Sequence, residues 1–502
     1  MNVAANGTVP PIRHIPFGGT LAIIQWLNDI SKEENMDKEA YKELKEKLLS
    51  SRKNGYDRFN VEEQAAMDAY CAGYKAFLDK GKTERLCAAE SIRLAEEKGY
   101  RPYVRDMEVH PGDKLYFCNR GKSVMLAHIG NKSLADGAQI AAAHIDSPRL
   151  DLKPNPLYED NELAFFKTHY YGGIRKYQWV TIPLELRGVI ALKDGTTVEV
   201  NIGVDDGDPK LVITDLLPHL GQEQSKKPLA EAVPGETLNL LLGSRPIGDE
   251  EESGRVKLAV MQLLNEKYGI TEDDFTTAEL EAVPAANACD IGLDRSLIGA
   301  YGHDDRVCGY AALRALLDLE GTPEKTAVCV LADKEEIGSD GVTGMQSAAF
   351  DTFMGDLCAA QDVPVRVCFE KSFCLSADVT AAYDPDFAEV YEKRNAAFVN
   401  YGIGLCKYTG ARGKSGASDA DAETVAYVRR LFDDAGVIWQ IAELGKVDAG
   451  GGGTVAKYMA KRNITTLDAG VAVLSMHAPF EVVSKLDCWE TYKGAKAIYQ
   501  AK

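Results

Sequence analysis

Several features that would assign the chain to other protein classes are absent. No CxxC motif occurs among its 11 cysteines, so neither a zinc ribbon nor a dithiol redox pair is expected. An odd number of cysteines cannot all pair within one chain, and reduced thiols fit best. No stretch approaches the roughly 18 apolar residues of a membrane-spanning helix, and the opening residues lack the pattern of a secretory signal. We therefore expect a cytoplasmic protein.

Positive charge is also scarce. The 502 residues include 57 Lys and Arg against 76 Asp and Glu, which gives a formal net charge of −19. Such a surface repels phosphate backbones and anionic lipids, so we expect neither nucleic acid nor a membrane as a partner. Because 45% of the residues are hydrophobic, the chain can form large cores and is not a disordered protein or a single small module.

Common catalytic and nucleotide-binding motifs are missing as well. Neither HExxH nor GxSxG occurs, so the zincin helix and the nucleophile elbow have no support. The segment from Gly410 to Ser415 resembles a phosphate loop, but Tyr408 stands where its first glycine is required. Gly450 to Gly453 fit no GxGxxG register, and we expect a loop there that lets a ligand approach the backbone.

The pattern of apolar residues changes twice along the chain. From Gln25 to about Lys98 the spacing predicts surface helices. Residues 149–286 are rich in alternating strand patterns, with a hairpin turn at Asp194-Gly195, and they read as an inserted domain. From Asp290 onward strands alternate with helices, one of them predicted from near Ser418 to Gly436. The fold class is therefore α/β, with a mixed, largely parallel sheet sandwiched by helices.

Two of the eight histidines follow short apolar runs: His144 ends AQIAAAH, and His477 follows LSM. Asp146 lies two residues after His144, so in an extended strand exit both face the same side. Its carboxylate could accept the second imidazole N–H and fix the tautomer presented to a metal. Taken alone, an ordinary His–Asp hydrogen bond at a strand end is the simpler interpretation.

Four acids occupy similar positions. Asp304 lies just before a predicted amphipathic helix, where an acid also complements the helix dipole. Glu335 and Glu336 follow the buried strand TAVCVLA, and Asp378 follows another short apolar run. Adjacent carboxylates at a strand end point in different directions. One can therefore bind a metal while its neighbour acts on a water molecule.

Together these residues indicate a metal site that none of them indicates alone. In α/β folds, functional sites gather where the carboxyl ends of strands meet. Two His, two Asp and one Glu suit two divalent ions if one carboxylate bridges them. The predicted ligands are His144, Asp304, Glu336, Asp378 and His477.

The sequence resembles the aspartyl aminopeptidase family of cocatalytic di-zinc metallopeptidases, as a divergent bacterial-type member. The matching segments, in the family's order between residues 140 and 482, are AAAHIDSPRLDLKP, YYGGIRKYQW, HDDRVCGY, LADKEEIGSDG, SADVTAAYDP and LSMHAPFE. The resemblance implies a zinc-dependent aminopeptidase that removes N-terminal residues, acidic ones in the family, from peptides through a metal-activated water. It also implies two divalent ions per subunit, of which Zn²⁺ is expected.

The resemblance assigns a role to each candidate residue. Asp304 would bridge the two ions, with His144 and Asp378 completing the first site and Glu336 and His477 the second. Glu335 would be the general base, and Asp146 would orient His144.

The resemblance also implies an assembly. Residues 1–148 and 287–502 would form the catalytic domain, and residues 149–286 a β-rich dimerisation domain from which dimers build a dodecamer. His219 would reach a neighbour's site from that domain. Lys407 would pair with an acidic substrate side chain.

Some positions depart from the family pattern and put its acidic preference in question. The family's SADMAHAxHP reads SADVTAAYDP here, with Ala381 and Asp384 in place of two histidines. Its GGG-W-x-x-W-F pattern is altered to GGIRKYQW at residues 172–179. An added acid near the pocket would weaken selection for acidic residues. Two alternatives remain at this point: a di-metal deacylase or carboxypeptidase of related fold, and a non-catalytic assembly protein.

Overall fold

The computed structural model describes residues 37–502. The beginning of the helical region predicted from Gln25, and the first part of the catalytic domain predicted over residues 1–148, lie outside this range. Contacts divide the chain into a unit that ends at Lys53 and one compact unit from Asn54 to Lys502. In the described part of the first unit, one helix begins after Asp37, whose carboxylate accepts hydrogen bonds from two backbone N–H groups.

The described residues form eleven α-helices. In chain order they are α1 Lys38–Leu48, α2 Val61–Lys80, α3 Glu84–Glu97, α4 Leu229–Ala232, α5 Arg255–Tyr268, α6 His303–Leu317, α7 Ala349–Ala359, α8 Val365–Lys371, α9 Ala422–Asp434, α10 Ala456–Ala460 and α11 Lys485–Tyr499. Among them no helix is both long enough and apolar enough to cross a membrane.

They also form twenty strands in three sheets. In chain order these are β1 Arg101–Pro102, β2 Lys114–Asn119, β3 Ser123–His128, β4 Ala138–His144, β5 Arg149–Asp160, β6 Leu163–Tyr171, β7 Leu184–Ala191, β8 Thr197–Ile202, β9 Leu240–Gly243, β10 Ala278–Pro284, β11 Cys289–Ile291, β12 Leu297–Ala300, β13 Thr326–Ala332, β14 Phe373–Ser376, β15 Thr380–Ala381, β16 Ile403–Cys406, β17 Trp439–Ile441, β18 Thr465–Gly470, β19 Ala472–Leu474 and β20 Glu481–Ser484.

The largest sheet has nine strands in the order β1-β2-β3-β13-β4-β14-β18-β16-β17. Five of its eight neighbouring pairs are parallel, and three are antiparallel. Its centre, β13-β4-β14-β18, is parallel throughout, so these four strands place their carboxyl ends at one edge. The mixed, largely parallel sheet predicted from the sequence is confirmed.

Helices cover both faces of this sheet, and the central strands are buried along their whole length. Alternate residues of β4 face opposite sides: Ala141 and Ala143 pack against α6 and α11, while Ile140 and Ala142 pack on the side of α7 and α8. A strand buried on both faces must be apolar at every position, which explains the continuous runs of small and branched residues in the sequence.

A second, six-stranded sheet comes entirely from the segment predicted to be an insertion. Its order is β8-β7-β10-β5-β6-β9, so all of its strands lie between Arg149 and Pro284. The predicted hairpin joins β7 to β8 through Gly195, which has a φ of +88°. The sheet has its own core around Trp179, and α5 packs on it. The domain boundary at residues 149–286 stays a prediction, since residues 54–502 form one compact unit.

The helix predicted from Ser418 begins later. Helix α9 starts at Ala422, and the N-cap is Asp421, whose carboxylate accepts the backbone N–H of Thr424 at 2.7 Å. The backbone N–H of Ala420 instead donates to the carbonyl oxygen of Lys407 at 2.9 Å, which keeps the chain extended up to that point. The helix ends at Asp434, close to the predicted stop at Gly436.

The core of the six-stranded sheet provides a stability test. Phe166 is 1% exposed, and its ring packs edge-to-face on Phe275 at 5.2 Å between centroids. We expect Phe166→Ala to lower the free energy of unfolding by about 3–5 kcal/mol, because it leaves a cavity in a packed core. Phe387→Ala is the control, since that ring is 58% exposed. Urea unfolding followed by tryptophan fluorescence measures both, and equal small effects would contradict the burial of Phe166.

Candidate metal centre and active site

The parallel strands deliver four of the predicted residues to one edge of the large sheet. His144 is the last residue of β4, and it pairs with Ala332, the last residue of β13. Glu335 and Glu336 lie in the single 3₁₀ turn that follows β13. Asp378 comes two residues after the end of β14, which pairs with β4 on its other side. The order of these parallel strands therefore explains why the four side chains come together at one edge, as predicted.

The other two predicted ligands come from outside this sheet. Asp304 is the second residue of α6, and the turn before it needs Gly302, whose φ is +77°. A Cβ atom there would lie 2.1 Å from an Arg306 nitrogen, so a side chain has no room. His477 lies in the loop between β19 and β20 of a five-stranded sheet ordered β11-β12-β20-β19-β15.

One buried carboxylate, Glu481, holds both of these segments. Its Oε2 accepts the backbone N–H of Asp304 at 3.0 Å, and its Oε1 accepts the backbone N–H of His477 at 2.7 Å. Burial raises the pKa of Glu481 to about 8, and the neighbouring charge of Asp304 adds to the shift. Sequence reasoning missed this residue. It stands in the matched segment LSMHAPFE, but no local pattern shows that it reaches two distant backbone groups.

Asp304 lies between the two histidines with one carboxylate oxygen toward each. Its Oδ1 is 3.2 Å from His144 Nε2, and its Oδ2 is 3.1 Å from His477 Nε2. The remaining acids surround this axis. Glu336 Oε2 is 3.5 Å from His477 Nε2, and Asp378 Oδ1 and Glu335 Oε2 are each 4.0 Å from His144 Nε2. A carboxylate in this position could bridge two metal ions, with the other side chains arranged around it.

Asp146 lies behind His144, away from the cavity. Its backbone carbonyl oxygen lies within hydrogen-bond distance of His144 Nδ1, at 3.0 Å, and its Oδ1 lies 3.2 Å from the same nitrogen. The Oδ1 atom also accepts the backbone N–H of Glu335 at 3.1 Å. Its Oδ2 accepts the backbone N–H of Glu336 at 3.2 Å and the hydroxyl of Tyr171 at 2.8 Å. These contacts leave His144 Nε2 free for a metal and fix the turn that carries both glutamates.

Burial and like charges strongly affect the ionisation of this cluster. Burial raises the pKa of Glu335 to about 7 and those of Glu336 and Asp378 well above their ordinary values, with neighbouring carboxylates adding to each shift. Burial also opposes protonation of His477, but Asp304 and Glu336 outweigh it and raise the pKa of His477 to about 10. So many buried acids are stable together only if protons or cations neutralise them.

The donor atoms fit a metal ion. One carboxylate oxygen of Glu336, Oε1, is buried without a hydrogen-bond partner. Donor atoms of His144, Asp304 and Glu336 all lie within 4.8 Å of one another, and so do those of His144, Asp305 and Asp378. Imidazole nitrogens and carboxylate oxygens are the ligands that zinc takes at catalytic sites.

Asp305 was not among the predicted site residues. It is buried, its Oδ2 accepts the backbone N–H of His144 at 3.2 Å, and its Oδ1 has no hydrogen-bond partner. This hydrogen bond helps to hold the backbone of His144 at the end of β4.

These residues form one wall of a cavity of about 430 Å³. Part of the opposite wall is the glycine loop, in which Gly451, Gly452 and Gly453 face the space beside Thr409 and Leu444. A Cβ atom on Gly451, whose φ is +118°, would lie 2.0 Å from the carbonyl oxygen of Gly410. The loop thus approaches the cavity through its backbone, as the sequence predicted.

The residues predicted to contact substrate lie elsewhere. Cys406 and Tyr408 line the cavity, but Lys407 between them does not, because consecutive residues of an extended segment face opposite sides. Its ammonium contacts Asp419 at 3.2 Å. His219 is exposed in the loop between β8 and β9. Asp384 caps a 3₁₀ helix by accepting the backbone N–H of Asp386. These contacts give no support to a substrate role for Lys407 or His219.

Comparison with known proteins identifies the family. A family model described as "Aminopeptidase I zinc metalloprotease (M18)" matches residues 77–499. A probable M18 family aminopeptidase 1 of Clostridium acetobutylicum is 48% identical over 458 residues, which cover 90% of this chain and 98% of that protein.

Comparison with solved structures leads to the same family. The crystal structure of an M18 aminopeptidase from Thermotoga maritima matches with a TM-score of 0.86 and 45% identity, over 90% of this chain and 99% of that one. A yeast structure described as the mApe1 dodecamer shares the fold, with a TM-score of 0.70 and 20% identity over 87% of this chain and 98% of that one. The chain belongs to the M18, or aminopeptidase I, family of zinc metallopeptidases, and it is a metallo-aminopeptidase, as its motifs predicted.

Proposed function

We propose that the chain removes N-terminal residues from peptides at a centre of two zinc ions bridged by Asp304. The observation that carries this proposal is the position of that carboxylate, with one oxygen within 3.2 Å of each of two imidazole nitrogens. His144 and Asp378 would complete the first site, and Glu336 and His477 the second. The family's aminopeptidase activity leaves the deacylase, carboxypeptidase and non-catalytic alternatives without support.

Zinc bound at this centre would polarise the scissile carbonyl group and make the attacking water more acidic. The protein residues would orient the metal ligands and bind the substrate. Asp146 would keep the Nε2 atom of His144 directed at the metal. The acids around the cavity would attract the free ammonium group of the substrate, which favours cleavage at the N-terminus over cleavage within a chain.

Glu335 is the residue we propose as general base and acid. It is the one acid of the pair at the end of β13 that the bridged arrangement does not need as a ligand, and its carboxylate has no ion pair with Lys or Arg among the described residues. Its Oε2 lies 4.0 Å from His144 Nε2, beside the metal-binding atoms. From there it would take a proton from the attacking water and return it to the leaving amine.

We propose that the chain assembles through residues 149–286 into dimers and then a dodecamer in the cytoplasm. The separate six-stranded sheet and the dodecameric structure with the same fold support this. His219 is exposed in the six-stranded segment, so a neighbouring subunit could receive it. An acidic preference mediated by Lys407 is not part of this proposal, since that lysine does not line the cavity and pairs with Asp419.

Replacing the general base tests the mechanism. We expect Glu335→Gln to lower kcat by about 10²- to 10⁴-fold, because the amide cannot accept the proton. Zinc content should stay at the wild-type value, since no ligand is lost. Glu389→Gln on the exposed surface is the matched control and should retain full activity. Release of an N-terminal residue gives the rate, and a Glu335→Gln enzyme as fast as wild type would refute the role.

Metal content tests the bridge. We expect Asp304→Ala to lose both zinc ions, because both sites use that carboxylate, whereas Asp378→Ala should lose one. Inductively coupled plasma mass spectrometry of the purified variants gives the zinc content per chain. If Asp304→Ala kept one zinc ion, Asp304 would not be a bridge.

The hydrogen bond from Tyr171 to Asp146 gives a third test. We expect Tyr171→Phe to lower activity or zinc affinity by roughly 10- to 100-fold, the usual cost of losing a group that orients a ligand. The ring itself should stay in place, because Arg149 stacks on it at 3.9 Å. Tyr170→Phe, on the exposed side of the same strand, should have no effect. Equal activity of the two variants would contradict the role of this hydroxyl.

A further inference from the structure

Lys457 is the only Lys or Arg among the described residues that line the active-site cavity. It lies in α10, directly after the glycine loop. The side chains of Val455, just before that short helix, and of Tyr458 and Met459 within it are buried in the core between α10 and the sheet. The backbone that carries Lys457 is thus held firmly at the cavity wall.

The ammonium group of Lys457 has no carboxylate partner. No Asp or Glu oxygen of the described residues lies within 4.0 Å of its Nζ, which lies over the Tyr458 ring at 4.8 Å from the centroid. The Nζ atom of Lys461 lies over the same ring at 5.4 Å. The hydroxyl of Tyr458 donates to the carbonyl oxygen of Gly338 at 2.9 Å, which fixes that ring. By contrast, Lys407 and Lys414 outside the cavity share Asp419 at 3.2 and 3.0 Å.

The glycine loop leaves space for this ammonium group. A Cβ atom on Gly453 would lie 3.0 Å from Lys457 Nζ and 3.7 Å from its Cε. Glycine at this position therefore allows the cation to lie against the loop and face the cavity. The acids that line the cavity are the proposed zinc ligands and the proposed base, and none of them lies within 4.0 Å of Lys457 Nζ. Lys457 is left as the free cation of the substrate-binding space.

We propose that Lys457 is a specificity-determining residue that binds a carboxylate of the substrate. The inference rests on the proposed function, because the substrate must reach the metal centre for this carboxylate to lie in the cavity. An unpaired, half-buried cation favours a complementary anion and disfavours a second cation. Two substrate groups have this chemistry: the side chain of an N-terminal Asp or Glu, and the free C-terminal carboxylate of a dipeptide.

A competing role predicts a different result. The positive charge of Lys457 also acts on Glu335, where it favours the ionised carboxylate. If the role of Lys457 were to keep Glu335 ionised, replacing Lys457 would slow the cleavage of every substrate by the same factor, whatever charge the substrate carries.

Two matched substrate pairs separate these possibilities and the two sources of the carboxylate. Asp-Ala-amide and Asn-Ala-amide differ only in the side-chain charge. Leu-Ala and Leu-Ala-amide differ only at the C-terminus. We measure kcat and KM of the zinc-loaded wild type, of Lys457→Met and of Lys407→Met as the matched control, together with the zinc content of each.

We expect Lys457→Met to lose about tenfold or more in kcat/KM, mainly through KM, on the charged member of one pair. The neutral members should change by less than about twofold, and Lys407→Met should match wild type on all four. The pair that shows the loss identifies whether the carboxylate comes from the N-terminal side chain or from the C-terminus.

An equal loss on all four substrates, or no loss on any, would overturn the role of Lys457 while leaving the metallo-aminopeptidase function intact. A zinc-loaded wild type that cleaves none of the four would instead overturn the proposed function, and the role of Lys457 with it.

Discussion

One buried carboxylate, Asp146, connects the parts of the protein on which the rest of the site depends. It lies just beyond the end of β4 and contacts the imidazole of His144, the backbone of the turn after β13, and the hydroxyl of Tyr171 at the end of β6. Two neighbouring strands of the large sheet and one strand of the six-stranded sheet thus meet at a single group. A shift of any of them would move a proposed metal ligand.

The cluster in front of Asp146 is electrostatically unfavourable without cations. Acids from α6, the turn after β13 and the segment after β14 are buried within a few ångströms of one another, and burial raises the pKa of most of them. A protein interior tolerates such a group only where positive charge neutralises it. Buried hydrogen bonds hold the proposed ligands in place. Those of Glu481 to the backbone N–H groups of Asp304 and His477 are an example.

Much of this could be predicted from the sequence because the candidate ligands follow recognisable strands. Short apolar runs end at His144, before Glu335 and before Asp378, and parallel strands bring such ends together. Glu481 and Tyr171 could not be found this way, because their importance depends on contacts between segments far apart in the chain. No pattern in either segment marks those contacts.

Lys407 and Lys457 also show that the sequence does not reveal which side chains face the cavity. Lys407 was expected in the cavity from the resemblance, but alternation along its extended segment turns it toward Asp419. Lys457 lines the cavity beside the glycine loop, and no sequence pattern marks it. Helix α9 begins later than the sequence predicted, and a contact between distant segments again explains the difference. The backbone N–H of Ala420 donates to the carbonyl oxygen of Lys407, which keeps this residue extended, so that Asp421 is the residue that caps the helix.

The proposed mechanism requires two metal ions that share Asp304. A crystal structure of the zinc-loaded protein, with anomalous data collected above and below the zinc absorption edge, tests this most directly. If Asp304 bridges the ions, we expect two zinc peaks in the cavity, one on each side of the Asp304 carboxylate, with His144 at one and His477 at the other. A single peak, or two peaks that Asp304 does not join, would contradict it.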